Sequence, residues 1–178
     1  FEETLKRDPL GRAAQCVKDV AFCQSQFSLA DELTLVCEKL PLRPCHNDTK
    51  INNMLFCTKS NHSRAVIDLD TCMPGYWLFD FGDMVRTFCS PEAEDSIALD
   101  NVSVREEIFS AIVKGYIEPL AKFITDEEKQ SFLLGAKVMP FMIGLRFLTD
   151  YIDGDNYFSV NHSEHNLQRA RNQFKLYQ

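Results

Sequence analysis

The stretch RPCHNDTKINNMLF, residues 43–56, places a dense group of polar side chains immediately before an apolar run. Pro41 and Pro44 end the helical pattern that precedes it. The apolar residues 54–57 and 65–67 flank a polar segment, and this pattern predicts a β-hairpin. The polar group therefore lies on a loop beside a short, rigid hairpin, which is a usual location for chemistry.

Outside this hairpin the hydrophobic residues recur at helical spacing. We predict helices over about residues 10–26, 29–40, 104–120, 126–151 and 163–176, a loop over 72–76 and an acidic surface loop over 90–101. Pro9 is expected to start the first helix, Ser28 to cap the second, and Thr125 with Glu128 to form a capping box. Pro140 should kink the long fourth helix. The predicted fold class is mostly α with a small β-hairpin (α+β).

Composition narrows the class of protein. A length of 178 residues fits one domain or one lobe of a larger protein, and 45% hydrophobic residues support a packed core. A net charge of −7 argues against nucleic acid as the main partner. The longest apolar run, 138–145, is too short to span a bilayer, so we expect no membrane segment. The seven cysteines include no Cys-x-x-Cys pair, which favours reduced thiols in a cytoplasmic protein.

The spacing His46-x-Asp48-x-x-x-x-Asn53 is that of a kinase catalytic loop. Phosphoryl transfer needs a carboxylate that orients the acceptor hydroxyl and accepts its proton, and an amide oxygen that can bind a magnesium ion. Lys50 could meet the charge on the transferring group. We expect His46 to brace the loop rather than to take part in the chemistry. The alternative is that Asp48 and Asn53 are ordinary turn residues.

Two later aspartates compete for the role of second metal ligand. Asp68 directly follows the second hairpin strand, whereas Asp80 opens an Asp-Phe-Gly sequence that spells the protein-kinase metal motif. An irregular loop separates Asp80 from the hairpin. We therefore predict that Asp68 binds metal and that Asp80 is structural, either capping a helix or bracing the catalytic loop.

The ordered motifs HNDTKINN, VIDLDT and DFGD together resemble the aminoglycoside phosphotransferase and choline kinase-like superfamily, and most closely its bacterial N-acetylhexosamine 1-kinases. The stretches RFLTDYIDGDNYF and HNLQRARNQFKL are also similar to that subfamily. The resemblance implies a protein-kinase-like fold in which residues 1–178 form the C-terminal lobe. Because the chain begins at Phe1, we expect a fragment of a longer protein whose N-terminal nucleotide lobe is absent, and that isolated fragment should be inactive.

The resemblance also implies residue roles. Asp48 and Lys50 would be catalytic, and Asn53 and Asp68 would hold Mg²⁺, with ATP as co-substrate. Contacts to a small-molecule sugar would come from Thr71, Arg146 and Tyr157. The other expected partners are the nucleotide and the protein's own N-terminal lobe.

Simpler interpretations and other functions remain open. Arg146 and Asp150 have the spacing of a surface ion pair on a helix, Tyr157 could be a packing aromatic, and His165 is expected to be solvated. The acceptor could instead be an aminoglycoside or a choline-type amine, with the acidic residues 92–95 supplying charge. A third possibility is a non-catalytic binding lobe.

Overall fold

The computed structural model describes residues 1–178 as a helical chain with two small pairs of antiparallel strands. The helices are α1 (Glu2–Arg7), α2 (Val17–Ser25), α3 (Ser28–Cys37), α4 (Trp77–Phe88), α5 (Glu106–Leu120), α6 (Asp126–Asp153) and α7 (His165–Tyr177). The strands are β1 (Arg43–Cys45), β2 (Met54–Phe56), β3 (Ser63–Val66) and β4 (Met73–Gly75). The predicted fold class, mostly α within α+β, is confirmed.

The predicted hairpin is confirmed as the pair β2–β3, with Met54 opposite Val66 and Leu55 opposite Ala65. Leu55, Phe56 and Val66 are each about half exposed, so the hairpin presents an apolar surface instead of burying it. Its open end, where β2 begins and β3 ends, adjoins the catalytic loop. The hairpin therefore positions the two residues at its open end, Asn53 and Asp68.

The prediction of a plain loop over 72–76 was wrong, because β4 lies within it and pairs with β1. Pro44 lies directly opposite Pro74 in this pair. Neither proline has an N–H group to give to the ladder, so both strands look like loops in the sequence. Gly75 permits the close approach, because a Cβ there would lie 3.1 Å from Oδ1 of Asn47.

The start of the chain also differs from the prediction of one helix over 10–26. Helix α1 comes first, and Pro9 lies in a turn instead of starting a helix. The turn contains Asp8 and Gly11 at positive φ, and Asp8 accepts hydrogen bonds from the backbone N–H groups of Arg12 and Ala13. Ser28 is the first residue of α3 and makes no capping hydrogen bond. The positions of the first helix, of Pro9 and of the second helix start were predicted wrongly because short turns override weak helical periodicity.

The later helices follow the prediction. The capping box at the start of α6 is confirmed, since Thr125 Oγ1 accepts from Glu128 N and Glu128 Oε2 accepts from Thr125 N. Helix α6 packs against α4 on one side and α7 on another. By length and composition it could cross a membrane, but 56% of its most apolar 18-residue window is buried inside the protein. It is the central core helix of this fold.

Two glycines bring α4 and α6 into backbone contact. A Cβ on Gly135 would lie 2.1 Å from the carbonyl oxygen of Leu78, and one on Gly82 would lie 2.2 Å from the carbonyl oxygen of Gly135. Next to this contact the rings of Phe81 and Phe132 stack with centroids 4.6 Å apart. The position of α4 relative to α6 is therefore fixed at the backbone.

All seven cysteines are free thiols, and four are buried.

Candidate active site

Asp80, near the start of α4, holds the catalytic loop by its backbone. Its carboxylate accepts hydrogen bonds from His46 N at 2.8 Å and Asn47 N at 2.7 Å, and its carbonyl accepts one from Thr49 Oγ1 at 2.6 Å. Burial raises the pKa of Asp80, while the two N–H groups act in the opposite direction. Both carboxylate oxygens of Asp80 are thus engaged by the backbone of the loop. This placement fits a bracing role.

Asp48, Lys50 and Asn53 form one hydrogen-bonded group. Oδ2 of Asp48 accepts from Lys50 Nζ at 2.6 Å and from Asn53 Nδ2 at 2.8 Å, while Asp48 Oδ1 accepts no hydrogen bond. The hydrogen bond that Lys50 donates to Asp48 raises the pKa of Lys50 and outweighs the effect of desolvation, with smaller contributions from the charges of Asp48, Asp68 and Asp83. One oxygen of the Asp48 carboxylate is therefore held in place and the other is free for a ligand.

Asn53 and Asp68 lie side by side because Ile67 N donates to Asn53 O at 2.9 Å. Asn53 donates its amide nitrogen to Asp48, so its Oδ1 points elsewhere and accepts no hydrogen bond. The Asp68 carboxylate also accepts none, and Asp68 adopts φ +66°, a left-handed conformation that Asp tolerates. His46 Nε2 donates to Ile67 O at 3.0 Å and ties the catalytic loop to this end of β3.

The unpartnered Oδ1 of Asn53 and the unpartnered carboxylate of Asp68 suit a hard cation. No group of three or more His, Cys, Asp or Glu side chains is placed to hold a metal by itself. Mg²⁺ is commonly bound through one or two protein oxygens, together with phosphate oxygens and water. The donor set of Asn53 and Asp68 therefore fits Mg²⁺ that arrives with phosphate.

Thr71 is placed against the catalytic loop. Its hydroxyl donates to His46 O at 2.7 Å, and Asn47 Nδ2 donates to Thr71 O at 3.1 Å. It does not line the pocket that contains Asp48. The structure therefore does not bring Thr71 together with the other candidate substrate residues, and its hydroxyl proton is committed to the loop.

A pocket of about 340 Å³ brings Asp48 and Lys50 together with Arg146. Arg146 Nη2 donates to Tyr157 Oη at 3.3 Å, and its guanidinium lies 5.4 Å from the ring centroids of Tyr157 and Phe158. Tyr157 is 73% exposed and lines an adjoining surface depression instead of this pocket. Its contact with the site is made through Arg146.

The prediction of a surface ion pair between Arg146 and Asp150 is wrong. Asp150 is buried, and its carboxylate accepts hydrogen bonds from the backbone N–H groups of Asn156, Tyr157 and Phe158 and from Asn166 Nδ2, all at 2.8–2.9 Å. A buried carboxylate needs such donors. Asp150 thus shapes the loop that places two aromatic rings under the Arg146 guanidinium.

Two residues that line the pocket, Arg86 and Arg169, were not identified from the sequence. Arg86 is buried and forms ion pairs with Asp83 and Glu94, and Arg169 lies over the Phe147 ring at 5.3 Å. His165, which was expected to be solvated, is buried, with Nδ1 accepting from Asn161 N at 3.1 Å and Nε2 lying 3.5 Å from Asp95 Oδ2. The spacing Asp83–Arg86 is the one signal that could have indicated a pair. The contacts of Arg169 and His165 depend on how α7 packs.

A free carboxylate oxygen, a lysine, and amide and carboxylate oxygens that could hold a cation therefore lie around the catalytic loop and the open end of the hairpin, an arrangement suited to phosphoryl transfer. Residues 4–102, more than half of the chain, match the phosphotransferase enzyme family (APH), and the chain belongs to that family. The match includes the catalytic loop, the hairpin and α4. The resemblance seen in the motifs is thereby confirmed for the superfamily of small-molecule phosphotransferases, whose members generally use ATP and Mg²⁺.

Proposed function

We propose that this protein transfers the γ-phosphoryl group of ATP to the anomeric hydroxyl of an N-acetylhexosamine. The carrying observation is the free Oδ1 of Asp48, which lies in a pocket with Lys50 and Arg146. A hydroxyl that donates to this oxygen is oriented for attack on phosphorus and gives up its proton there. The new bond joins the sugar oxygen to the γ-phosphorus, and the bond from that phosphorus to the bridging oxygen of ADP breaks.

The remaining residues of the loop act on charge and position. Lys50, whose ammonium group Asp48 holds in its protonated form, lies where it neutralises charge on the transferring group. Asn53 and Asp68 would hold Mg²⁺, which, when bound, neutralises charge on the phosphate oxygens of the donor. Asp80 keeps the loop in shape. The further nucleotide contacts belong, in this proposal, to an N-terminal lobe that covers the exposed hairpin, and the whole enzyme works in the cytoplasm.

The charges around Asp48 favour a neutral acceptor over an amine. Four cationic side chains and two acidic ones line the pocket: Lys50, Arg86, Arg146, Arg169, Asp48 and Glu94. Of the acidic residues 92–95 only Glu94 lines this pocket, and its charge is paired with Arg86. An aminoglycoside or choline would enter against this positive field. A sugar has no such penalty, and its hydroxyls can accept from the arginines.

A phosphorylation screen on the full-length protein tests the proposal. MgATP is offered with N-acetylglucosamine, N-acetylgalactosamine, glucose, choline and kanamycin, and the product is identified by mass. We expect sugar 1-phosphates from the two acetylated hexosamines, and loss of turnover by orders of magnitude in Asp48→Ala. Phosphorylation of the amines alone would overturn the sugar assignment and leave the catalytic loop intact. Nucleotide binding with no product from any acceptor would point to a binding lobe.

A further inference from the structure

A second pocket adjoins the one that contains Asp48. It encloses about 320 Å³ between the catalytic loop, the end of α4, the acidic loop and α7. The two pockets share the lining residues Lys50, Arg86, Glu94 and Arg169. A ligand whose reacting hydroxyl lies at Asp48 can therefore extend past the Arg86–Glu94 ion pair into the second pocket.

Two α7 residues that line this pocket each carry a buried polar atom without a hydrogen-bond partner. These atoms are Nε of Arg169, a donor, and Oε1 of Gln173, an acceptor. Gln173 is only 2% exposed, and its amide nitrogen already donates to Asn172 Oδ1 at 3.1 Å. Residues four apart on a helix share one face. Because unpartnered buried polar atoms are costly, a group that donates and accepts at once is favoured here.

The lining of this pocket is polar and electrically balanced. Only two of its thirteen lining residues are hydrophobic. Its charged side chains are three cationic and three acidic: Lys50, Arg86, Arg169, Glu92, Glu94 and Asp95. A balanced set of charges gives no preference to an ion of either sign, and a polar wall does not suit an alkyl or aromatic group. The chemistry that fits is a neutral, hydroxyl-rich unit.

We propose that this pocket is a second acceptor subsite, which binds a hydroxylated unit attached to the sugar that is phosphorylated. One hydroxyl of that unit accepts from Arg169 Nε and donates to Gln173 Oε1. The enzyme then prefers a reducing disaccharide, with its reducing ring at Asp48 and its second ring in this pocket, over a single sugar. This inference rests on the proposed function, and the transfer step is the same for both acceptors.

The kinetic test compares a one-ring with a two-ring acceptor. For the full-length protein, kcat/KM is measured with N-acetylglucosamine, with N,N′-diacetylchitobiose and with its 3-O- and 6-O-linked counterparts. We expect at least one disaccharide to exceed the monosaccharide. In Gln173→Leu the disaccharide-to-monosaccharide ratio should fall about 10-fold, chiefly through KM. Gln130→Leu, in a groove that shares no residue with either pocket, is the matched control and should keep the ratio.

A folding control and a binding measurement separate the outcomes. If Gln173→Leu does not fold, Arg169→Lys replaces it, since lysine keeps the charge but cannot place a donor at Nε. A monosaccharide preference in the wild type, or a ratio that Gln173→Leu leaves unchanged, would overturn the subsite. If no sugar is phosphorylated, the proposed function fails, and calorimetry then decides the subsite. Disaccharide binding that depends on Gln173 supports it, and no such binding overturns it.

Discussion

Replacing Asn53 by Asp tests the hydrogen bond that joins the proposed base to the proposed metal ligand. The substitution keeps the shape of the side chain but sets a carboxylate oxygen about where Nδ2 now lies, 2.8 Å from Asp48 Oδ2. At that separation two charges repel by about 6 kcal/mol at an effective dielectric constant of about 20. Because the side chain of Asp48 is 25% exposed and paired with Lys50, solvent and the lysine charge weaken this repulsion, and about 2 kcal/mol of it should remain. That is about 1.5 pKa units.

The two carboxylates of Asn53→Asp should then titrate as a coupled pair, one of them with a raised pKa. The base would be partly protonated at neutral pH, so turnover should fall there and recover as the pH rises. We expect the acidic limb of the kcat/KM profile to move up by at least about one pH unit. Carboxyl titration by NMR gives the same shift without relying on turnover.

Asn61→Asp is the matched control for this experiment. Asn61 lies in the hairpin loop at φ +56°, a conformation that Asp also tolerates, and it is far from Asp48 in the hairpin. The variant adds the same charge and should leave the profile in place. If the profiles of Asn53→Asp and Asn61→Asp coincide with that of the wild type, the hydrogen bond from Asn53 does not govern the base, and the reasoning is wrong.

Three further predictions concern the stability of the fold and the loop over residues 156–158. Gly135→Ala forces a Cβ onto the Leu78 carbonyl and should lower the unfolding free energy, measured in urea, by about 3 kcal/mol. Gly115→Ala, with open space around the new Cβ, should instead raise the unfolding free energy by up to about 1 kcal/mol. Equal stabilities of the two variants would refute the close contact. Burial raises the folded-state pKa of Asp80 above its ordinary 3.8, so its protonated form contributes stability that is complete below the unfolded-state pKa and is lost as the pH rises through the folded-state pKa. Asp80→Asn removes this titration, so the unfolding free energy of the variant minus that of the wild type should rise with pH across that window. The variant should also turn over more slowly than the wild type. A difference in unfolding free energy that does not depend on pH would contradict the assignment. Asp150→Asn sets an amide against N–H donors of the 156–158 loop, which should cost about 1–3 kcal/mol and raise the acceptor KM more than it lowers kcat; an unchanged KM would show that the loop does not shape the pocket.

The catalytic loop and the hairpin could be predicted from the sequence because their signals are local. The spacing of Asp48 and Asn53 and the position of Asp68 after an apolar strand are properties of consecutive residues. Asp80 could be set apart from Asp68 because Pro74 and Gly75 lie between Asp80 and the end of the hairpin. The structure brings Asp48, Asn53 and Asp68 together as that spacing predicts, and their roles in turnover remain predictions.

The rest depends on contacts between distant segments. The pair β1–β4 was missed because opposed prolines are read as loop signals. The buried positions of Asp150 and His165 depend on the 156–161 loop folding back on its helices, which no local periodicity encodes. Arg169 reaches the pocket only through the packing of α7 against α6. Thr71 was assigned to substrate from a motif, although the motif does not specify where its hydroxyl points.

The contact between Gly82 and Gly135 has a consequence for how the acceptor preference of this protein can change. Asp80, which holds the catalytic loop, lies on α4, and Arg146 lies on α6. Because the two helices touch at the backbone, neither can slide without a clash, and the distance from Asp48 to Arg146 is held fixed. Adaptation to a new acceptor must then proceed through the two loops at the rim, residues 90–96 and 156–158, where insertions and exchanges leave the transfer geometry untouched.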